Sequence, residues 1–481
     1  MSSGKVLSNL MWRFAERCGA QAVAFIVSVV LARLLDPSTY GIVALITVFI
    51  TIAQVFVDSG LGNSLIQKKD ADDIDFSTVF YTNMAFCMLL YVLIFLLAPA
   101  IAGFYGMPDI VPYIRVLSIT ILVSGVKNVQ QAYVSRHMIF RKFFFSTLGG
   151  TIAAGIIGVI MALNGAGVWA LVAQQVINVT IDTCILWITV RWRPKAAFSL
   201  KRLKSLYSFG WKLLASSLLD TVYKDLSSLI IGKLYSSSDL AYFNQGDKFP
   251  RLIINNINTS IDSVLLPTLS DVQDEREKLK ELTSKAIKLS CFILAPVMIG
   301  MAAVAEPLVR IVLTDKWLPC VNMLRIFCFV YLMYPIHTAN LNAIKAVGRS
   351  DIFLKLEIIK KIIGLAILAV SMWFGVEAMA WSFLLMGILS QFINAWPNRK
   401  LLDYGYLDQL RDVMSTMVPA ALMGILVYII GKLLGSSLPV LVLQVIAGVV
   451  IYVIETRFFM PEVWNFVMNG VKTKLGRKAG A

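Results

Sequence analysis

The chain has 481 residues, of which 58% are hydrophobic and only 15% are charged. Soluble domains carry about 45–50% apolar and about 25% charged residues, so this composition excludes a soluble globular protein. In a soluble protein a net charge of +15 would suggest a nucleic-acid partner. Cytoplasmic loops of membrane proteins are also rich in Lys and Arg, and we therefore expect a multi-pass membrane protein with no nucleic-acid partner.

Apolar windows bounded by proline, glycine and charge clusters predict fourteen membrane-spanning helices. A helix needs about 20 residues to cross the apolar core of a bilayer, and every window reaches that length. The predicted fold class is therefore an all-α polytopic membrane protein. In chain order the predicted spans are 10–33, 41–66, 77–102, 111–135, 143–163, 167–190, 205–234, 239–268, 281–310, 319–345, 353–374, 376–398, 411–434 and 438–459.

The Lys and Arg residues between the spans predict the orientation. An even number of spans places both termini on one side, and that side holds twenty-seven Lys and Arg against six on the other. Basic loops stay in the cytoplasm, so both termini and the basic segment 191–204 are predicted to be cytoplasmic. The first apolar run, 18–32, follows Glu16 and fits a retained span better than a cleaved signal.

The chain also contains an internal repeat of six spans. The segment 31–41 between spans 1 and 2 aligns with 231–241 between spans 7 and 8, and the turn at 165–170 aligns with 375–380. Because six is even, both copies have the same orientation, which predicts pseudo-symmetry about an axis along the membrane normal. The predicted organisation is an N-lobe in 1–190, a basic cytoplasmic linker in 191–204, a C-lobe in 205–400, helices 13 and 14 in 401–460, and a basic cytoplasmic tail in 461–481.

Five predicted spans carry polar side chains in steps of three and four residues, which places them on one helix face. Charged side chains in a bilayer are expensive and normally face a protein interior or a water-filled cavity. These polar stripes therefore predict a hydrated cavity. Their members are Arg13, Arg17 and Gln21 in span 1, Thr47, Thr51, Gln54 and Asp58 in span 2, Thr120, Ser124, Lys127 and Gln131 in span 4, Lys212, Ser216, Asp220 and Lys224 in span 7, and Asn244, Lys248, Arg251, Asn255, Asn258 and Asp262 in span 8.

Some of these charges have a structural explanation as well. Arg13, Arg17 and Lys212 are near the predicted cytoplasmic boundary, where long basic side chains reach the lipid headgroups. Asp220 and Lys224 are four residues apart and are placed to pair on one helix face. For these residues the structural explanation and a role in lining the cavity both stay open.

Three further bases lie in the middle of their spans. Lys127 has no acid near it in the sequence, and Lys248 and Arg251 have only Asp247. For these residues cavity lining is the stronger interpretation. Pro250 precedes Arg251, and two interpretations of it stay open: a kink in span 8 that frees carbonyls into the cavity, or a role in packing alone.

The sequence lacks the signatures of an enzyme. It contains no G-x-x-x-x-G-K-[ST] motif for a nucleotide, and its six cysteines form no CxxC pair and have no nearby histidine pairs. The predicted external loops are too short for a catalytic domain. We therefore expect no enzyme activity, no metal and no cofactor.

The chain resembles the Wzx-type polysaccharide flippases, which belong to the polysaccharide transporter family of the multidrug/oligosaccharidyl-lipid/polysaccharide (MOP) superfamily. The resemblance covers nearly the whole chain and is carried by residues 12–17 (WRFAER), 30–41 (VLARLLDPSTYG) and 58–66 (DSGLGNSLI). It implies two lobes, from spans 1–6 and 7–12, around a central cationic cavity, with two added C-terminal helices as in MATE-like folds. It also implies transport of undecaprenyl-diphosphate-linked oligosaccharide, a repeat unit of cell-surface polysaccharide, from the inner to the outer leaflet by alternating access.

The resemblance implicates basic residues of spans 1, 2, 7 and 8, whereas span 2 of this chain has none. With the stripe residues, the candidate substrate-binding cations are Arg13, Arg17, Lys127, Lys212, Lys224, Lys248 and Arg251. The candidate polar lining is Gln21, Gln54, Asp58, Gln131, Asn255, Asn258 and Asp262, with Glu16 and Asp58 as candidates for ion coupling. The expected location is the bacterial cytoplasmic (inner) membrane. The expected partners are a lipid-diphosphate-linked glycan, membrane lipids and polysaccharide polymerase or export machinery.

Two alternatives remain open. A multidrug or metabolite antiporter on the same fold needs a mainly acidic or apolar cavity, whereas the predicted spans, away from their ends, contain eleven bases against roughly eight candidate acids. A polytopic glycosyltransferase is weaker, because the chain has no room for an external catalytic domain.

Overall fold

The computed structural model describes residues 3–58, 61–68, 70–459, 461 and 464–465. Within these residues the chain forms seventeen α-helices and two 3-10 turns, and no strand. The all-α class is confirmed. The helices are α1 Ser3–Leu34, α2 Pro37–Asp58, α3 Leu61–Gln67, α4 Asp73–Tyr105, α5 Val111–Arg136, α6 Arg141–Leu163, α7 Val168–Thr189, α8 Leu200–Leu234, α9 Ser237–Ser270, α10 Arg276–Ala303, α11 Ala305–Val312, α12 Cys320–Leu332, α13 Tyr334–Ala346, α14 Ser350–Ser371, α15 Val376–Leu402, α16 Tyr406–Leu434 and α17 Leu438–Phe459.

Ten helical segments of the described chain are long and apolar enough to cross a membrane. They comprise α2, α4, α5 with its preceding turn, α6, α7, α10, the pair α12 and α13, α15, α16 and α17. The other four predicted spans fall on α1, α8, α9 and α14, which carry charged residues in their interiors. The chain is thus a multi-pass membrane protein, and the count of fourteen spans remains a prediction.

The chain divides into two compact units, residues 1–241 and 242–481. In the first unit α6 packs along α1 and α7, α5 packs on α4 and α7, and α2 packs on α5. Helix α8 lies in this unit and contacts α2, α3 and α4. The lobe boundary that the sequence places at 191–204 stays a prediction.

The second unit is built around α10, which packs on α12, α13 and α16. Helix α15 packs on α12, α13 and α14, and α17 packs on α16. Leu279, Ile287, Ile336 and Leu402 are fully or almost fully buried in one apolar cluster where α10, α13 and α15 meet. This cluster fixes α13 beside α10, and α13 carries side chains that contact the polar stripe of α9.

The basic linker is held on the first unit in an irregular conformation over residues 191–199. The Lys195 backbone N–H donates to Ser77 Oγ at 2.9 Å, and the Ser199 N–H donates to Thr78 Oγ1 at 3.2 Å. Both hydroxyls belong to the second turn of α4. The linker therefore docks on α4 before α8 begins.

Ion pairs reinforce this junction. Asp72 caps α4 by accepting from the Asp75 N–H at 3.0 Å, and it forms a hydrogen-bonded ion pair with Arg202 of α8. These hydrogen bonds hold the pKa of Asp72 well below its usual range, and the hydrogen bond from Arg202 contributes most. Asp75 is fully buried and pairs with Lys68 at 2.6 Å. The N-terminal turn of α4 is thereby tied to α8.

The internal repeat is visible in the helix boundaries. Helix α1 ends at Leu34 and α2 begins at Pro37, while α8 ends at Leu234 and α9 begins at Ser237, so both boundaries are displaced by 200 residues.

The second part of the repeat needs a correction of register. Helix α7 begins after Gly167, with φ of 54°, and α15 begins after Gly375, with φ of 106°. Positive φ favours glycine at both positions. The two helix starts are 208 residues apart, so the sequence alignment at 210 is displaced by two residues.

Candidate functional site

A cavity of about 700 Å³ lies within the first unit. Two polar stripes from the sequence line it together: Thr47, Thr51, Gln54 and Asp58 of α2, and Thr120, Ser124, Lys127 and Gln131 of α5. The side chains that line it beyond the stripes include Glu16, Asn128, Ser135, Thr147, Gln175 and Asn178. Gln21 of α1 is half-buried and is not among the lining residues.

Lys127 is paired with an acid from another helix. Its Nζ lies 3.1 Å from Oδ2 of Asp182 on α7, and the two side chains are 16% and 12% exposed. Lys127 has no acid near it in the sequence, and its partner comes instead from α7, which packs on α5. The sequence shows Asp182 as an acid in span 6, but the two residues are 55 positions apart and no local spacing links them.

Asp58 is held by two amides. Gln54 Nε2 donates to its Oδ1 at 3.1 Å, and Asn128 Nδ2 donates to the same oxygen at 3.5 Å. Asn128 is 7% exposed, and its own Oδ1 has no hydrogen-bond partner among the described residues. Asn128 was not among the predicted site residues, although it follows Ser124 by four residues and so shares that helix face.

The described lining of this cavity is not cationic. It contributes the carboxylates of Glu16 and Asp58 and one ammonium, Lys127, which Asp182 already compensates. Arg13 and Arg17 belong to the same helix as Glu16, but their side chains lie outside the described residues, as does that of Lys212. A net positive cavity would depend on those arginines.

In span 7 the structure contains the local ion pair that the sequence offered as an alternative. Lys224 Nζ lies 2.7 Å from Asp220 Oδ2, and the side chains are 70% and 46% exposed. An exposed pair of this kind contributes little to stability, about 0–1 kcal/mol. Lys224 therefore keeps most of its side chain accessible.

Arg251 of α9 is fixed by two neighbours in the second unit. Its Nη2 lies 2.5 Å from Oδ2 of Asp247, and its Nε donates to the Tyr331 hydroxyl at 3.1 Å. That hydroxyl donates in turn to Asp247 Oδ1 at 2.5 Å. The Arg251 side chain remains 60% exposed, whereas that of Asp247 is 8% exposed. Lys248, one turn away, is half-buried.

The C-terminal part of the α9 stripe contacts α13. Thr338 Oγ1 donates to Asn258 Oδ1 at 2.7 Å, and Asn342 Nδ2 donates to Asp262 Oδ1 at 2.8 Å. These two pairs and the pair of Arg251 with Tyr331 are each 80 residues apart. Helix α9 therefore runs parallel to α12 and α13 in constant register. We call this set of three contacts the register-80 ladder.

The two acids of the α9 stripe region have different partners. Asp262 accepts from Asn342, and Arg251 pairs with Asp247. Asn255 lies between the ladder levels and is exposed. Tyr331, Thr338 and Asn342 were not among the predicted site residues, because a ladder between helices leaves no periodic signal within one segment.

A second cavity, of about 410 Å³, lies within the second unit between α10, α11, α16 and α17. Its lining is apolar apart from Gln444 and Tyr452, and it contains no charged side chain. A diphosphate does not fit such a lining. Among the described residues no group of three His, Cys, Asp or Glu is arranged to hold a metal ion.

The chain is similar to proteins named for the biosynthesis of polysaccharides. A family model described as "Polysaccharide biosynthesis protein" matches residues 30–322. The succinoglycan biosynthesis transport protein ExoT of Rhizobium meliloti (strain 1021) is 23% identical over 457 residues, covering 93% of this chain and 90% of that protein. The teichuronic acid biosynthesis protein TuaB of Bacillus subtilis (strain 168) is 24% identical over 385 residues, 78% of each chain. The lipopolysaccharide biosynthesis protein WzxC of Escherichia coli (strain K12) is 23% identical over 397 residues, 81% of this chain and 80% of that protein.

Solved structures share the fold. The lipid II flippase MurJ in an inward closed conformation has a TM-score of 0.74 at 14% identity, covering 94% of this chain and 99% of that one. An inward-facing MATE multidrug transporter of the MOP superfamily has a TM-score of 0.62 at 15% identity, covering 79% of this chain and 95% of that one. Because the matched family model spans more than half of the 481 residues, the chain belongs to the polysaccharide biosynthesis protein family, and it shares the fold of these solved structures.

Proposed function

We propose that the chain moves an undecaprenyl-diphosphate-linked oligosaccharide, a repeat unit of a cell-surface polysaccharide, from the inner to the outer leaflet by alternating access. The family match and the names of three relatives in succinoglycan, teichuronic acid and lipopolysaccharide biosynthesis support this proposal. On this proposal the chain is a transporter and not an enzyme. It lies in the bacterial cytoplasmic membrane with both termini in the cytoplasm, and it delivers its cargo to polymerase or export machinery.

The observation that carries the proposal is the polar cavity of the first unit. Its lining is rich in hydroxyls and amides, such as Thr51, Gln54 and Asn178, inside a chain that is otherwise strongly apolar. Hydroxyls and amides both donate and accept hydrogen bonds, which matches the hydroxyl groups of a sugar. The cavity of about 700 Å³ is also within the range of ligand pockets.

The diphosphate is assigned to the basic residues of the stripes. Arg251 suits a phosphate best, because its planar guanidinium can bind two oxygens at once. Asp247 and Tyr331 fix its orientation, and Nη1 takes part in neither contact. Lys248, Lys224 and Lys127, with Arg13, Arg17 and Lys212, complete the proposed set of cations.

The test is flipping of a fluorescent lipid-diphosphate oligosaccharide in proteoliposomes. Arg251→Ala with Lys248→Ala should reduce the flipping rate at least tenfold at normal membrane expression, and Arg251→Lys should restore part of it. A matched control is Arg349→Ala, which removes an arginine that pairs with Asp351 outside the stripes. Full flipping by the double alanine variant would overturn the assignment of the diphosphate to these two residues.

Asp58 and Glu16 are proposed as the groups that couple transport to an ion gradient, since both line the cavity. Asp58→Asn should make the flipping rate independent of an imposed proton or sodium gradient. If wild-type flipping is already the same with no gradient and no potential, coupling is absent and consumption of the cargo supplies the direction.

Asp58 favours one second candidate function, export of an organic cation or metabolite in exchange for an ion. This carboxylate lines the cavity and accepts hydrogen bonds from two amides, and a carboxylate in such a site would attract a cation. One experiment distinguishes the two functions. Proteoliposomes should take up or release ethidium in response to a proton gradient only if the chain is an antiporter.

A further inference from the structure

Four aromatic residues of the second unit form a buried column. The rings of Phe243 and Phe327 are 5.1 Å apart, those of Phe327 and Tyr331 are 6.3 Å apart, and those of Tyr331 and Tyr334 are 5.0 Å apart. Phe243, Phe327 and Tyr331 are 5%, 3% and 6% exposed. Tyr334 ends the column and is 40% exposed. The column therefore presents one aromatic ring to its surroundings.

The exposed ring and the Arg251 guanidinium both contact Tyr331. Tyr331 contacts both groups, since its hydroxyl accepts from Arg251 Nε and its ring packs against Tyr334 at 65°. A half-exposed ring and a guanidinium that is 60% exposed thus share Tyr331 as a neighbour.

The helix that carries Tyr334 is not typical of a lipid-facing helix. The segment Cys320–Ala346 is 67% buried over its most apolar window, the highest value of the ten candidate spans. The next residues on this face, Thr338 and Asn342, make polar contacts with α9. Tyr334 therefore belongs to a polar face, and its phenol is not placed among lipid tails.

We propose that Tyr334 and Arg251 form a sugar-phosphate subsite, in which Arg251 binds a phosphate of the lipid diphosphate and the Tyr334 ring stacks on the first sugar. This inference rests on the proposed function and adds to it a residue that selects glycosylated lipid over bare lipid. The chemistry follows from the two groups: a guanidinium matches phosphate oxygens, and an aromatic ring offers a rigid apolar face with a polar edge. A sugar ring has apolar C–H faces and polar edges, so it matches Tyr334.

The test compares two probes on the detergent-purified full chain: undecaprenyl diphosphate bearing one hexose, and undecaprenyl diphosphate alone. Tyr334→Leu should weaken binding of the hexosyl lipid about three- to tenfold, the range of one aromatic contact, and leave binding of the bare lipid unchanged. Tyr334→Phe should keep most of the affinity for both. Arg251→Gln should weaken both lipids equally. Tyr428→Leu, which changes a tyrosine of α16 that is 47% exposed, serves as the matched control.

A measurement on the wild type covers the case in which Tyr334→Leu does not fold. The hexosyl lipid should protect Tyr334 from nitration by tetranitromethane, and the bare lipid should protect it much less. Equal protection by both lipids, or equal loss of both affinities in Tyr334→Leu, overturns the sugar subsite while the proposed function stands. Failure of the wild type to bind either lipid overturns the proposed function itself.

Discussion

Lys127 and Asp182 bury opposite charges side by side, with Nζ and Oδ2 3.1 Å apart. Removing one partner leaves the other charge uncompensated in a poorly solvated place, which costs about 3–5 kcal/mol in buried pairs. Removing both charges avoids that penalty. The role of Lys127 in transport can therefore be separated from its role in stability.

We expect Asp182→Asn to lower the thermal midpoint of the purified protein by several degrees and to reduce its membrane expression. The double variant Lys127→Gln with Asp182→Asn should recover most of both, because no unpaired charge remains. Glu281→Gln, which breaks an exposed pair with Lys285, is the control and should change the midpoint little. A double variant as unstable as the single one would show that the ion pair is not what stabilises this site.

The contrast between local and distant pairs shows what the sequence can predict at this scale. Asp220 with Lys224, and Asp247 with Arg251, are four residues apart, so helix geometry alone predicts that they meet. Asp182 reaches Lys127 only through the packing of α7 on α5. No rule of spacing within one helix contains that information.

At the scale of elements, the close approach of α2 to the start of α9 depends on a glycine. A Cβ on Gly41 would lie 1.7 Å from the Ser237 carbonyl oxygen, so the first turn of α2 can approach the start of α9 only without a side chain there. Gly103 of α4 has no atom within 4 Å of the same position. A substitution at Gly103 is therefore the matched control for the same substitution at Gly41.

Gly41→Ala should lower the folded yield and the thermal midpoint markedly, because the backbone oxygen cannot give way. Gly103→Ala should be neutral or slightly stabilising, since alanine is the better helix former. Thermal unfolding in detergent followed by intrinsic fluorescence measures both. A Gly41→Ala protein as stable as Gly103→Ala would mean that α2 and α9 are not in close contact.

The junction of the linker with α4 gives a prediction on pH. Asp72 has a pKa below its unfolded value of about 3.9, so its pairing with Arg202 stabilises the fold above that pH and is lost as the pH falls. At pH 7 Arg202→Gln should lower the thermal midpoint by only about one or two degrees, as expected of an exposed pair. The difference in thermal midpoint between Arg202→Gln and the wild type should shrink progressively below pH 4. A difference that stays constant to pH 3 would exclude the carboxylate as its cause.

Each predicted span coincides with a described helix or a pair of helices, because long apolar runs and their breaks are local signals. Spans 2, 9 and 10 are each divided, into α2 with α3, α10 with α11, and α12 with α13. In span 10 the division precedes Pro335, which lacks an N–H to continue the helix ladder. The sequence contains that proline, but a membrane helix often continues through one, so the pattern alone did not predict the division.

At the scale of the whole molecule, orientation in the membrane is predicted by the basic loops and is open to a direct test. In a cysteine-free background, a cysteine at Ser237 should react with an impermeant maleimide added outside intact cells, and one at Ala197 should not. Ala197 lies in the linker with six basic residues, and Ser237 lies at the opposite end of α8. Labelling of both positions, or of Ala197 alone, would contradict the predicted topology.

The register-80 ladder also has an evolutionary consequence. A substitution at Arg251, Asn258 or Asp262 removes one partner of a side-chain hydrogen bond whose other partner lies 80 residues later. Because an unsatisfied polar group in the membrane is costly, the lineage retains such a change most easily when the partner changes too. Positions 251 and 331, 258 and 338, and 262 and 342 should therefore covary among relatives, while Asn255, which lies between the levels, should vary independently of them.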